Sequence, residues 1–176
     1  MTRPRDLPIA PCEECGYRYE LLDRAQILRA LASLADEHRL ILTSSPGERL
    51  RDHTRPGSWS LLEYGCHVRD VLRFQRERIA LAQAEDVPRF GLMHRDERVS
   101  EEGYNGQDPS VVADEIVAAA HRLIDTLESL DEMGWLRTGI YPRPTAAVRT
   151  VEWIGRWTAH ELAHHLFDQR RLLDSA

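Results

Sequence analysis

Residues 157–169 read W-T-A-H-E-L-A-H-H-L-F-D-Q, in which His160, Glu161 and His164 spell H-E-x-x-H. In a helix, residues four apart share a face with side chains about 6 Å apart, so His160 and His164 can aim two ring nitrogens at one ion. In a zinc protease the same letters would make Glu161 a general base. That chemistry needs a third ligand of a fixed kind. One large class takes it from a downstream glutamate, and none follows His164. Another extends the motif to H-E-x-x-H-x-x-G-x-x-H, but this chain has Phe167 and Arg170 at the required positions. Any third ligand therefore lies upstream. His67 is the candidate: it sits mid-helix in W-S-L-L-E-Y-G-C-H-V-R-D-V, on one face with Glu63, Tyr64, Val71 and Phe74. His38, His53, His94 and His121 read as surface or structural residues. The plain alternative for inward histidines is hydrogen bonding to a carbonyl or carboxylate in the core.

A second group of reactive side chains lies in C-E-E-C-G-Y. Cys12 and Cys15 have the spacing of a metal knuckle or a redox pair, and Gly16 permits the tight turn that a knuckle uses. A full metal site needs two more ligands and there is no second C-x-x-C, so the expectation is an inert arm, ahead of a redox pair or a structural zinc. Cys66 adjoins His67 but points about 100° away on a helix, as a core residue would. Tyr104 is expected to anchor its loop, with proton donation above a metal as the alternative. Trp59 and Trp135 read as packing residues.

The elements that must position these groups are helical. Asp23 caps a helix whose Ile27, Leu28, Leu31, Leu34, Leu40 and Ile41 recur at three- and four-residue steps, ending at S-S-P-G. Ser60, with Glu63 three residues on, opens a second helix of roughly seven turns. A loop spans residues 86–108, long enough to be a candidate for function. Asp108-Pro109 opens a third helix with a stripe running from Val111 to Leu130, and a fourth runs from Thr150 to Leu173. The reading is an all-α, antiparallel four-helix bundle over residues 20–176, behind an irregular arm over residues 1–19.

Composition narrows the function. The chain has 176 residues, 42% hydrophobic and 30% charged, with a net charge of −6 that gives no electrostatic footprint for nucleic acid. All 23 basic residues are arginine, so no lysine can form a Schiff base or complete a phosphate-binding loop. No apolar run approaches the roughly 20 residues of a membrane span and no signal core is visible. A soluble cytoplasmic protein is expected, and three cysteines do not make a secreted disulfide framework.

The blocks W-S-x-L-E-x-x-x-H-x-x-D and H-x-x-x-H-H, together with Y-N-G-Q-D-P and the C-E-E-C-G-Y arm, resemble the DinB-like metal-binding four-helix bundles, in particular actinobacterial members. That superfamily includes mycothiol-dependent maleylpyruvate isomerase and bacillithiol S-transferases. The resemblance implies a divalent-metal triad of His67, His160 and His164, holding zinc first and nickel as a second possibility, and a homodimer. Glu161 and His165 form a rival pair four residues apart, about 100° around the helix from the Trp153 and Trp157 stripe. The stripe favours His160 and His164, leaving His165 as a supporting or surface residue, and in the resemblance Glu161 is no family feature but a variable position that happens to be glutamate.

Three imidazoles would leave the full divalent charge on the ion, which activates a bound water or thiol. The function implied is a thiol S-transferase or thiol-dependent isomerase, with a mycothiol-like thiol and an electrophile as small-molecule partners. The alternatives are a hydrolase using Glu161 or Asp70 as base, and a non-enzymatic bundle that the metal only stabilises.

Overall fold

The computed structural model describes residues 11–18, 22–54, 57–142 and 145–175. The expected arm over residues 1–19 therefore lies partly outside the described residues. Helix α1 (Arg24–Ser44) starts at Asp23, whose carboxylate accepts from the Gln26 N–H while the Gln26 side chain accepts from the Asp23 N–H, both at 2.8 Å. After the short α2 (Gly47–Arg51), α3 (Leu61–Ala84) starts with the same reciprocal box, Ser60 and Glu63, at 3.2 and 2.7 Å. The short α4 (Arg95–Glu101) precedes α5 (Pro109–Glu128), which is capped by Asp108 with proline in its first turn. Next come α6 (Glu132–Leu136), strands β1 (Thr138–Tyr141) and β2 (Ala147–Thr150), and α7 (Val151–Leu173), where the Thr150 hydroxyl accepts from the Trp153 N–H at 3.0 Å.

Helices α1, α3, α5 and α7 form the expected four-helix bundle, but only two of its four neighbouring pairs are antiparallel as expected. In the ring, α5 and α7 each pack against both α1 and α3. Side-chain pairs fix the directions. Arg39 at the end of α1 faces Asp114 at the start of α5, and Gln169 at the end of α7 donates to the Leu61 carbonyl at the start of α3, so these neighbours are antiparallel. Arg24 pairs with Glu152, and His38 with Leu162 and Gln169, so α1 and α7 run the same way. Arg69 with Glu115 and Arg76 with Thr126 make α3 and α5 parallel. The long connections between these helices allow such crossings.

Two further expectations change. The loop over residues 86–108 contains α4 and a 3-10 turn at Tyr104–Gly106, and the turn-rich stretch before α7 forms an antiparallel hairpin pairing Thr138 with Thr150 and Tyr141 with Ala147. Four-residue strands are too short for alternation to announce them. Phe90 clamps this hairpin to the bundle: its N–H donates to the Ile140 carbonyl at 3.1 Å and its ring covers Gly139, where a Cβ would lie 2.2 Å from Phe90 Cζ.

The inward seam of α7 is Val151, Gly155, Thr158, Leu162, His165, Gln169 and Leu172, alternating four and three residues, and all are buried. His38 fills a polar gap in the core, with its ring nitrogens 2.6 Å from Gln169 Oε1 and 3.0 Å from the Leu162 carbonyl. No helix among the described residues is long and apolar enough to cross a membrane.

Candidate metal centre

His67 on α3 and His165 on the α7 seam face each other with ring centroids 4.7 Å apart, nearly perpendicular. One turn back from His165, Glu161 joins them. One donor atom each from His67, Glu161 and His165 lies within 4.8 Å of the others. His160 and His164 are not part of this group. Their donor atoms gather instead with Cys12 and Cys15, and among the described residues no group joins them to His67. The expected grouping of His67, His160 and His164 is thus divided in two. The reason is one residue of helical phase: about 100° separates the His160/His164 pair from the Glu161/His165 pair, and the second pair follows the seam. Trp153 and Trp157 misdirected the reading, because they pack against Tyr141 beside the hairpin and not along the bundle axis.

The electrostatics suit a cation. Neither buried ring nitrogen of His67 has a hydrogen-bond partner, an arrangement that costs about 1–3 kcal/mol for each such group unless something else binds there. Burial, aided by the nearby His165, pushes its pKa down to about 3, so the ring is neutral and one of its two nitrogens, set by the tautomer, carries a free lone pair. Burial opposes ionisation of Glu161, but His165 holds the carboxylate down at about 2. Burial likewise opposes a proton on His165, yet Asp168 and Glu161 outweigh it and raise its pKa. His165 Nε2 lies 3.7 Å from Glu161 Oε2, and Nδ1 lies 3.1 Å from Asp168 Oδ2. A divalent ion would take the place of that proton. Trp59 and Tyr64 wall the group, with rings 4.9 Å from His67 and 5.5 Å from His165.

Residues 22–167 match the model of the DinB superfamily. The chain belongs to that superfamily. The fold of this DinB chain is similar to YfiT from Bacillus subtilis, described as "a probable metal-dependent hydrolase with an unusual four-helix bundle topology", at a TM-score of 0.74 and 17% identity over 88% of this chain and 91% of that one. It is also similar to a mycothiol-dependent maleylpyruvate isomerase, at a TM-score of 0.70 and 13% identity over 86% of this chain and 62% of that one. No curated protein matches the sequence.

A cleft of about 240 Å³ opens beside the DinB chain's His67 and Glu161, between α3, the hairpin and the segment before α4. Val71, Phe74 and Trp157 give it apolar walls, and Arg78 and Arg95 give it positive charge. Arg78 donates to the Gly91 carbonyl at 2.6 Å and to the Tyr141 hydroxyl at 2.9 Å, and Gln75 donates to the same hydroxyl at 2.8 Å. Both bonds use Tyr141 lone pairs, so its O–H remains for a molecule in the cleft. Sequence reading missed Tyr141, which lies in the hairpin it did not foresee. Tyr104 anchors its loop, as expected: fully buried, it donates to Asp70 Oδ2 at 2.6 Å. Asp70 also accepts from Arg98 at 3.0 Å and Arg69 at 2.8 Å, which against the cost of burial hold its pKa low, so it is a structural anion and not a base.

Proposed function

We propose that this DinB chain is a metal-dependent enzyme that brings a small thiol to an anionic electrophile, in S-transfer or thiol-assisted isomerisation, with the ion held by His67, Glu161 and His165. The observation that carries the reading is His67, a buried imidazole without a partner, placed between a carboxylate and a second imidazole at the end of a cationic cleft. Two histidines and a glutamate are an ordinary donor set for catalytic zinc and leave positions open, and the same set suits other first-row ions.

When bound, the ion supplies positive charge that favours the deprotonated form of a nucleophile. Glu161 cancels part of the divalent charge. The ion lowers the pKa of either nucleophile, but a thiol starts near 8.5 and water at 15.7, so a partly neutralised ion deprotonates the thiol more readily. Among the described residues Glu161 is the only carboxylate lining the cleft, and as a ligand it is not free to take a proton. This favours the thiol. Arg78 and Arg95 would hold an anionic group of the electrophile, and the Tyr141 O–H would donate to the atom on which negative charge develops.

The test incubates metal-loaded protein with a low-molecular-weight thiol and a carboxylate-bearing electrophilic reporter. Thiol-dependent turnover that disappears in Glu161→Ala is expected, and turnover independent of thiol would sink the proposal. A hydrolase is the second reading, favoured by one feature: His94 lines the cleft and could serve as base for water. It requires turnover without thiol that collapses in His94→Gln.

A further inference from the structure

Cys12 and Cys15 bracket a closed turn. The Gly16 N–H donates to the Cys12 carbonyl at 2.8 Å, and the Cys12 N–H to the Tyr17 carbonyl at 3.0 Å. Gly16 adopts φ +72°, in the left-handed region that glycine enters without steric cost. Tyr17 lays its ring 5.1 Å from that of His160, bringing the turn onto the face of α7 that points away from the seam. There His160 and His164 stand one turn apart, with ring centroids separated by 5.4 Å.

The four side chains converge. Cys12, Cys15, His160 and His164 each place one donor atom within 4.8 Å of the other three, and Cys12 Sγ is 3.6 Å from His164 Nδ1. A tetrahedral zinc at about 2.3 Å from sulfur and about 2.0 Å from nitrogen sets its donors about 3.3–3.8 Å apart, so closure needs shifts of about an ångström. The other nitrogen of His164 faces outward, 3.5 Å from Glu14 Oε2 and 3.7 Å from Asp168 Oδ2. A carboxylate behind a ligating imidazole fixes the tautomer that leaves the inner nitrogen free.

We propose that Cys12, Cys15, His160 and His164 bind a structural zinc ion that fastens the segment before α1 to α7. Two thiolates and two neutral imidazoles neutralise the divalent charge and fill a tetrahedral shell, so no position is left for substrate. Binding releases the two thiol protons to solvent and changes no oxidation state. The sequence makes this arm an inert one for want of two further ligands; the fold supplies them from far along the chain, with 152 positions separating Cys12 from His164. The site uses none of the donors assigned to the catalytic ion, so each can fail without the other.

The test uses the full chain purified without a histidine tag and reloaded with cobalt(II). Wild-type protein is expected to bind two ions per chain and to show intense near-ultraviolet thiolate-to-cobalt charge-transfer absorption. Cys12→Ser with Cys15→Ser should lose that absorption and one ion, while His67→Ala should lose the other ion and keep the absorption. Should the double serine variant fail to fold, the wild type still decides. Two of its three thiols should react quickly with a thiol reagent only after zinc is chelated, Cys66 staying buried. Fully reduced protein without thiolate-to-cobalt absorption overturns the proposal. So does a Cys12–Cys15 pair that reductant, and not chelator, exposes.

Discussion

Asp168 Oδ2 lies 3.1 Å from His165 Nδ1, and the same oxygen lies 3.7 Å from His164 Nε2. One carboxylate therefore stands behind an imidazole of each donor group. It orients His165 so that Nε2 faces Glu161 and His67, and His164 so that Nδ1 faces Cys12. Asp168→Asn keeps the shape and removes the charge. Metal affinity at the His67 group should fall about 10- to 100-fold, read by chelator competition well above neutral pH, where protons compete little. Unchanged affinity would show that the carboxylate is incidental.

Tyr141→Phe deletes only an O–H. Gln75 and Arg78 lose an acceptor, so a modest loss of stability is expected, about 1–2 kcal/mol by denaturant titration. Turnover should fall further than binding does, with kcat lowered on the order of 10²-fold and KM little changed. A variant with altered KM and intact kcat would place Tyr141 in binding alone.

Tyr104→Phe addresses Asp70. Its partners Arg69 and Arg98 remain, so the cost should be about 1–3 kcal/mol of stability with thiol-dependent turnover retained in the folded fraction. Loss of turnover in fully folded protein would return Asp70 to the list of functional groups.

His38 sets an acid limit on stability. Burial lowers its pKa from 6.5 to about 4, with Leu162 and Gln169 only partly opposing this. The folded state thus binds fewer protons than the unfolded state between these values. Stability from this group is complete above about 6.5 and declines as pH falls toward 4, by on the order of 3 kcal/mol. In metal-free protein, His38→Gln should reduce the slope of unfolding free energy against pH by about one proton near pH 5, where His67 continues to contribute. An unchanged slope would mean that His38 does not titrate on unfolding.

The helix starts were legible because caps are local: Asp23, Ser60 with Glu63, Asp108 and Thr150 each satisfy N–H groups within three residues of themselves. His67 was legible as a buried histidine in mid-helix. The phase of H-E-L-A-H-H is hard to read from sequence because two pairs spaced i,i+4 differ by one letter, and bulky Trp153 and Trp157 outweigh the quieter seam. The four-three alternation from Val151 to Leu172 passes through His165 and not His164, and it was present in the sequence. No local signal could pair Cys12 with His164 or point Tyr141 into a cleft. Those depend on how distant segments meet.

Helix α7 runs beside α1, and His38 reaches Gln169 across a sequence separation of 131. During synthesis α1, α3 and α5 emerge before the helix that fills the gap between α1 and α3, so their apolar faces must wait for it. Such distant closure slows folding. The late helix also carries Glu161, His165, His160 and His164, so neither donor group can assemble on a nascent chain that lacks it. Capture of metal would thus report that the bundle has closed.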